Sequence, residues 1–321
     1  MKKMRECKNN ILTREQKEFI LDNYENMTND EISEKLNISK YFIHNYASNN
    51  HLIKNQNKRL VKHGIYKEIL KKDFSHIYKS MNNSIEPTIN SNLLYKSKYG
   101  KYYINQDYFN IIDNEWKAYW LGFLYADGTN RIKWNEKKHK MEHVLKLTLC
   151  YKDKTHLEKF KKSLQNDSPI KDRIIKLNNK EFKSCDINIC NQKICNDLSD
   201  LGCVPNKSLI LKFPNDKIVP KNLIRHFIRG YFDGDGCVHV NLSNKSTVIN
   251  FVGTKEFLSS LQDIFHNELK ISYTKMTNQR SNKAFQITYG GIEEFEKIFT
   301  YLYKDSNIYL DRKLEKFKII L

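Results

Sequence analysis

The sequence predicts an α+β fold in which two similar half-domains follow a small all-α module, and three observations carry that prediction. From residue 114 onward the pattern helix, strands, helix, strands, helix occurs twice. Each copy opens with an apolar helix that closes on Asp-Gly. Ahead of both copies, residues 12–54 show helical periodicity alone. A chain of 321 residues is long enough for a pseudo-repeated core plus one smaller module.

The 55 Lys+Arg outnumber the 37 Asp+Glu, giving a net charge of +18. The basic residues are spread along the chain, so the charge belongs to a folded surface and calls for a polyanionic partner, of which duplex nucleic acid fits best. AT-rich coding, signalled by the abundant Asn, Ile and Tyr, is the competing source of the lysines. No stretch approaches the roughly 18 apolar residues of a membrane span, so a soluble, intracellular protein is expected. Seven cysteines, Cys7, Cys150, Cys185, Cys190, Cys195, Cys203 and Cys237, form no CxxC pair, which argues against a disulfide framework and a zinc ribbon. Cys185, Cys190 and Cys195 straddle a strand and the helix after it and are expected as buried packing. His139 and His143 are spaced to share a helix face, and are expected to be solvated.

The N-terminal module, residues 1–54, reads as three short helices. Thr13 with Gln16 makes the first cap, followed by inward Phe19, Ile20 and Tyr24. Thr28 caps a second helix with Ile32 and Leu36 on one face, which breaks at Asn37. A third restarts at Ser39 with Phe42, Ile43 and Tyr46 inward. This is a helix-turn-helix pattern, and Ser39, Lys40, Tyr41, His44 and Asn45 would lie on the exposed face of the recognition helix. Residues 55–91 are Lys- and Asn-rich, poorly periodic, and read as a linker.

Half-domain 1 spans residues 92–217. Its helix NEWKAYWLGFLYADG carries Trp116, Tyr119, Trp120, Phe123 and Leu124 at helical spacing, with Gly128 at the place of a left-handed cap. The strand HVLKLTLCY and helix KTHLEKFKKSL follow, then the strand CDINIC and helix QKICNDLSDLG. Half-domain 2 spans residues 218–321. VPKNLIRHFIRGYFDGDG repeats the opening helix, with Pro220 in the first turn and Gly236 at the close. TVINFVG, KEFLSSLQDIF, AFQITYG and IEEFEKIFTYLY then match the first copy in order.

The opening helices end in WLGFLYADG (Trp120 to Gly128) and IRGYFDGDG (Ile228 to Gly236). Gly122 with Ala126, and Gly230 with Gly234, place small residues four apart on one face, which lets two such helices approach closely. Asp127 and Asp235 each sit at the negative end of a helix dipole, where a carboxylate is disfavoured. If the helices pack side by side the two charges meet, and a divalent cation is the economical explanation; hard oxygen ligands select Mg²⁺.

On these two motif copies the chain resembles the LAGLIDADG homing endonucleases of the monomeric, two-motif kind, over about residues 92–321. The resemblance implies two pseudo-symmetric half-domains with the motif helices at their interface, and saddle-like antiparallel sheets laid into the DNA major groove. It implies a monomer acting on double-stranded DNA at a long, imperfectly palindromic site, with Mg²⁺ as cofactor and Mn²⁺ able to substitute. The metal-binding role carries to Asp127 and Asp235, with the carbonyls of Ala126 and Gly234 as additional ligands. Tyr125 stands where the first motif's first acid would be, and Trp120 and Ile228 replace the leading Leu. The family's basic residue near the end of each half carries to Lys207 and Lys313. Asp127 to Lys207 is 80 residues and Asp235 to Lys313 is 78. Arg312 competes for the second position.

The expected activity is phosphodiester hydrolysis leaving short 3′ overhangs. Two rivals share the scaffold: a non-catalytic DNA-binding regulator, against which both aspartates argue, and an intron maturase, whose partner would be intron RNA. An intein is not expected, since the chain opens with neither Cys nor Ser and does not end in His-Asn.

Overall fold

The computed structural model describes residues 12–50, 52, 94–95, 102–177, 180–241, 246–278 and 284–318. The expected linker, 55–91, and Cys7 lie outside these. Residues 1–72 cluster as one unit, and residues 73–320 as another.

In the first unit, α1 (Arg14–Asn23), α2 (Asn29–Leu36) and α3 (Lys40–Asn49) enclose a small core of Ile20, Tyr24, Ile32, Ile43 and Ala47. Local chemistry sets each start. Thr13 Oγ1 accepts from Gln16 N at 3.2 Å while Gln16 Oε1 accepts from Thr13 N at 3.0 Å. Thr28 and Glu31 repeat the exchange at 3.2 and 2.8 Å. Each capping box is worth about 1 kcal/mol. Asn37 ends α2 in the left-handed region at φ 49°, where the chain turns into α3. One expectation fails: Phe42 is half-buried with its ring edge-on to exposed Tyr41 and is not among the residues that pack on this core, as half-buried Phe19, Leu36 and Tyr46 are, while Ala47, one turn after Ile43, is buried.

The second unit opens with a two-stranded pairing of β1 (Leu94–Tyr95) and β2 (Ile104–Asn105). The first half-domain follows as α4 (Glu115–Ala126), β3 (Gly128–Asn135), β4 (Lys140–Cys150), α5 (Lys154–Ser163), β5 (Lys171–Leu177), β6 (Lys180–Ile189) and α6 (Gln192–Asp200). The second is α7 (Ile224–Asp235), β7 (Cys237–Asn241), β8 (Ser246–Gly253), α8 (Lys255–Leu269), β9 (Thr277–Asn278), β10 (Phe285–Gly290), α9 (Ile292–Tyr303) and a further helix, α10 (Asp311–Lys318). The sheets are antiparallel with matching orders, β3-β4-β6-β5 and β7-β8-β10-β9. Alternation decides their faces. In the first, Leu145, Leu147 and Leu149 of β4 and Cys185, Ile187 and Ile189 of β6 are buried, on the side that packs α5 and α6. In the second, Ile249, Phe251, Ile287 and Tyr289 are buried, on the side of α8 and α9.

Helices α4 and α7 pack on each other across the middle of the unit. Residues Ala118 to Tyr125 of α4 are all buried, which explains its apolar character on every side. A Cβ added to Gly122 would stand 2.0 Å from the Phe227 carbonyl oxygen, and one added to Gly230 would stand 1.9 Å from that of Tyr119. These contacts are mirror images in sequence, since Gly122 and Tyr119 correspond to Gly230 and Phe227 in the repeat. The backbones touch because no side chain separates them.

Three expectations are corrected here. Gly128 is not a left-handed cap but opens β3; Gly236 does close its helix as expected, in an extended conformation at φ −71°, ψ 158°. Each helix runs straight into a strand, and the glycine is needed for room, since an added Cβ would lie 2.7 Å from the Leu124 carbonyl oxygen or 2.1 Å from the Phe232 ring. His139 and His143 share no helix; His139 turns the β3–β4 hairpin at φ 45° and His143 lies in β4, because the strand pairing overrides a polar segment without strong local preference. Of the three spaced cysteines, Cys185 and Cys195 are buried but Cys190, just beyond β6, is exposed.

Candidate active site

Asp127 follows the last turn of α4 and Asp235 closes α7, so the two carboxylates emerge side by side where the tightly packed helices end. Asp127 leans across: its Oδ2 is 3.5 Å from where a Cβ on Gly234 would stand. Both residues are exposed at this rim, with protein on the remaining sides. Burial first, and then the charge of Asp235, push the Asp127 carboxyl up to about 6, against the pull of Lys313, Lys207 and Arg312. Asp235 is raised as well, mainly by burial.

The two lysines occupy matching places. Lys207 is 7% exposed, in a single 3₁₀ turn entered through left-handed Asn206, and its Nζ donates to the carbonyl of Gly128 and faces that of Ala126 at 3.5 Å. Lys313 is 4% exposed, in the first turn of α10, and its Nζ donates to the carbonyls of Phe232, Gly234 (3.3 Å) and Gly236 (2.5 Å). Ala126 and Gly128 correspond to Gly234 and Gly236 in the repeat, so each ammonium sits against the same carbonyls of its own motif. Burial, followed by the charge of Arg312, lowers Lys313 to about 8, although Asp233, Asp127 and Asp235 oppose the shift. Arg312 points elsewhere: its guanidinium is held by Asp153 at 3.0–3.1 Å.

Among the described residues no three His, Cys, Asp or Glu side chains converge as a metal cage. The two aspartates still fit a hard divalent cation. They offer oxygen donors only, and a cation would relieve the repulsion that raises Asp127. Two carboxylates also leave most of the coordination sphere to water and phosphate, which suits Mg²⁺. The carbonyls of Ala126 and Gly234, expected as further ligands, face lysine ammonium groups here.

Sequence reasoning missed the polar chemistry beneath the aspartates. Asp233, 1% exposed, accepts from Tyr119 Oη of the opposite half at 2.7 Å, from Tyr303 Oη at 2.6 Å and from Leu310 N at 2.7 Å. Tyr119 Oη also meets His156 Nε2 at 3.0 Å. Arg229, fully buried, donates to the carbonyls of Ile308 and Leu302, each at 2.8 Å, and to Glu115 at 2.6 Å. Its signal was present: an arginine amid the apolar positions of α7. Tyr125, in the first motif's acid position, turns into its own half and donates to the Leu201 carbonyl.

On the sheet faces turned from the helices, the first half presents Thr129, Arg131, Lys133, Lys146, Lys171 and Arg173. The second presents Cys237, His239, Asn250, Gln286 and Thr288. A cleft of about 1260 Å³ near the β3–β4 hairpin, lined in part by Arg131, Lys138 and His143, lies away from the aspartates. In the N-terminal unit Ser39, Lys40, Tyr41 and His44 are exposed and Asn45 is half-buried; Lys40 pairs with Asp30.

Residues 222–303 match the family model of the LAGLIDADG-like domain. A probable translation initiation factor IF-2 of Methanocaldococcus jannaschii is 32% identical over 226 residues, covering 64% of this chain and 17% of that protein. The chain thus matches about a sixth of that relative's length. Among solved structures, the I-LtrWI LAGLIDADG homing endonuclease bound to target DNA is 16% identical with a TM-score of 0.43, covering 67% of this chain and 90% of that one. The I-GzeII LAGLIDADG homing endonuclease in complex with its DNA target is 15% identical with a TM-score of 0.40, over 64% and 87% of the two chains. Residues 222–303 thus match the LAGLIDADG-like domain, and the same order of helices and strands is repeated before them around a second helix ending in Asp-Gly.

Proposed function

We propose that this protein is a site-specific, divalent-metal-dependent DNA endonuclease of the homing type that cuts both strands and leaves short 3′ overhangs. The observation that carries the proposal is the meeting of Asp127 and Asp235 at adjacent helix ends, each beside a buried lysine held against the same carbonyls of its own motif.

The division of labour follows from the residues. Asp127 and Asp235 would hold Mg²⁺, whose chemistry when bound is to acidify water and neutralise charge building on the phosphate. Lys207 and Lys313 supply positive charge beside each carboxylate, and one lysine serves each strand by orienting water or stabilising the developing anion. The basic face of the first sheet and the neutral polar face of the second contact backbone and base edges respectively. In the N-terminal unit, Ser39, Lys40, Tyr41, His44 and Asn45 form the recognition face of a helix-turn-helix that adds affinity.

Asp127→Asn and Asp235→Asn are expected to abolish double-strand cleavage in Mg²⁺ while DNA affinity stays within about tenfold, because these carboxylates position metal and do not grip the duplex. The target is selected from a randomised plasmid library and binding is read by gel shift. Full-rate cutting by either variant would overturn the assignment. Wild-type protein that binds DNA without cutting any library member in Mg²⁺ or Mn²⁺ would make it a regulator.

A further inference from the structure

The second strand of the hairpin after each motif helix leads into a further helix, and the residue before that helix is Asp153 in the first half and Thr254 in the second. Thr254 does what a residue there usually does: its hydroxyl accepts from Phe257 N at 3.1 Å. Asp153 makes no side-chain capping bond to α5. Both side chains are nonetheless buried, at 5% and 8% exposure, and both reach into the other half.

Asp153 accepts three bonds from Arg312, Nε to each carboxylate oxygen at 3.1 Å and Nη2 to Oδ2 at 3.0 Å. Arg312 immediately precedes Lys313. A second ion pair, Lys159 to Asp311 at 3.0 Å, fastens the same turn of α10 to α5. The Thr254 hydroxyl donates to the Leu211 carbonyl at 2.6 Å, on the segment that leaves Lys207. The segment bearing each lysine is therefore tied to the helix start of the opposite half, by charge at one end and by a neutral hydrogen bond at the other.

We infer that Asp153 and Thr254 are positioning residues, each seating the lysine of the opposite half: Asp153 places Lys313 through Arg312, and Thr254 places Lys207 through the Leu211 carbonyl. A lysine side chain is long and has many rotamers, so its ammonium is placed only as well as the backbone at its base is fixed. The clamps fix that backbone only when the two halves are docked. Arg312 thereby acquires a role other than the catalytic one for which sequence spacing made it a candidate.

The inference rests on the nuclease reading and on the lysines acting one per strand, so the test carries Lys313→Met and Lys207→Met as references. Single-turnover cleavage of the library-selected target in Mg²⁺ is followed with each strand end-labelled. Asp153→Ala is expected to slow the strand that Lys313→Met slows by about tenfold or more, leaving the other strand and the DNA Kd within about threefold. Thr254→Val is expected to act in the same sense, and more weakly, on the strand that Lys207→Met slows. The exchanged pair Asp153→Arg with Arg312→Asp should recover most of the lost rate, a rescue that mere loss of stability would not show. If Asp153→Ala melts below the assay temperature, Asp153→Asn is read in its place, with a smaller slowing of the same strand expected.

Equal slowing of both strands, or no slowing, while Lys313→Met remains strand-selective would overturn the clamp and leave the lysine assignment standing. If Lys313→Met itself spares both strands, the lysine assignment fails and the clamp falls with it.

Discussion

Asp127 carries a charge that its surroundings disfavour. With its carboxyl raised to about 6, the folded metal-free protein holds a proton there more tightly than an unfolded chain, whose Asp titrates near 3.8. The contribution to stability is therefore fully present below the unfolded value and is lost as pH rises through about 6. Asp127→Asn should raise the melting temperature in EDTA at pH 7.5 by about 1–3 °C, a small gain because the carboxylate still faces water. The gain should vanish near pH 4 or when Mg²⁺ is added to the wild type, and differential scanning calorimetry across pH reads both. The lysines give a second prediction. Lys207→Met and Lys313→Met should each slow one strand more than the other, by about 10² as for loss of a charge-stabilising group, so nicked plasmid accumulates before linear product. Because Lys313 loses its proton near 8, the strand it serves should slow as pH rises through that value. Equal slowing of both strands by each lysine variant would sink the one-lysine-per-strand assignment. The two aspartates were legible in the sequence because each belongs to a local Asp-Gly ending repeated in register. Asp233, Tyr119 and His156 were not: Tyr119 and Asp233 meet across 114 residues, and that pairing depends on how two helices rotate against each other.

The motif helices bring their backbones together at Gly122 and Gly230, and this sets what each glycine tolerates. Gly230→Ala must move the Tyr119 carbonyl, 1.9 Å from the new Cβ, and is expected to cost about 3 kcal/mol or leave the protein insoluble. Gly290→Ala meets only the Thr247 carbonyl oxygen, at 3.8 Å, and is expected to stay within about 0.5 kcal/mol of the wild type. Urea titration of the two variants separates them, and a near-neutral Gly230→Ala would contradict the close approach. The capping box of α1 and the Thr28 cap of α2 could be read from the sequence, since each rests on two residues three apart in the chain. The hairpin at His139 could not, because its conformation comes from the pairing of β3 with β4.

Charge at the level of the molecule predicts how DNA binding responds to salt. The sheet face of the first half turned from the helices carries Arg131, Lys133, Lys146, Lys171 and Arg173 against Glu142 and Asp186, which pair with Arg131 and Arg173, whereas the described residues of the second face hold no Lys, Arg, Asp or Glu. Affinity should fall steeply with salt, and Lys133→Ala or Lys146→Ala should each reduce the log-log slope by about 0.9. His239→Ala or Gln286→Ala should alter base preference with the slope unchanged. Isothermal titration at several salt concentrations, paired with target selection, tests both halves of the statement. Deleting residues 1–60 should leave a folded, metal-dependent nuclease with weaker binding, since the helical unit has its own core and would add affinity through effective concentration. Loss of all cleavage in a folded truncation would make that unit part of the catalytic machinery. Repetition made the two-half plan readable from the sequence, while the unequal charge of the two faces emerged only when strand register assigned side chains to sides.

The hydrogen bond between Tyr119 and Asp233 also decides whether the two halves can be exchanged. The first half supplies the hydroxyl and the second the carboxylate; in the repeat, Phe227 stands where Tyr119 does, and Tyr125 where Asp233 does. Two copies of the second half, joined through α7, would bury a pair of Asp233 carboxylates opposite phenylalanine rings that have no proton to give, and two copies of the first would bring Tyr119 to Tyr125 with no carboxylate between them. Neither half is its own partner. Separately expressed halves should therefore reconstitute only as the mixed pair.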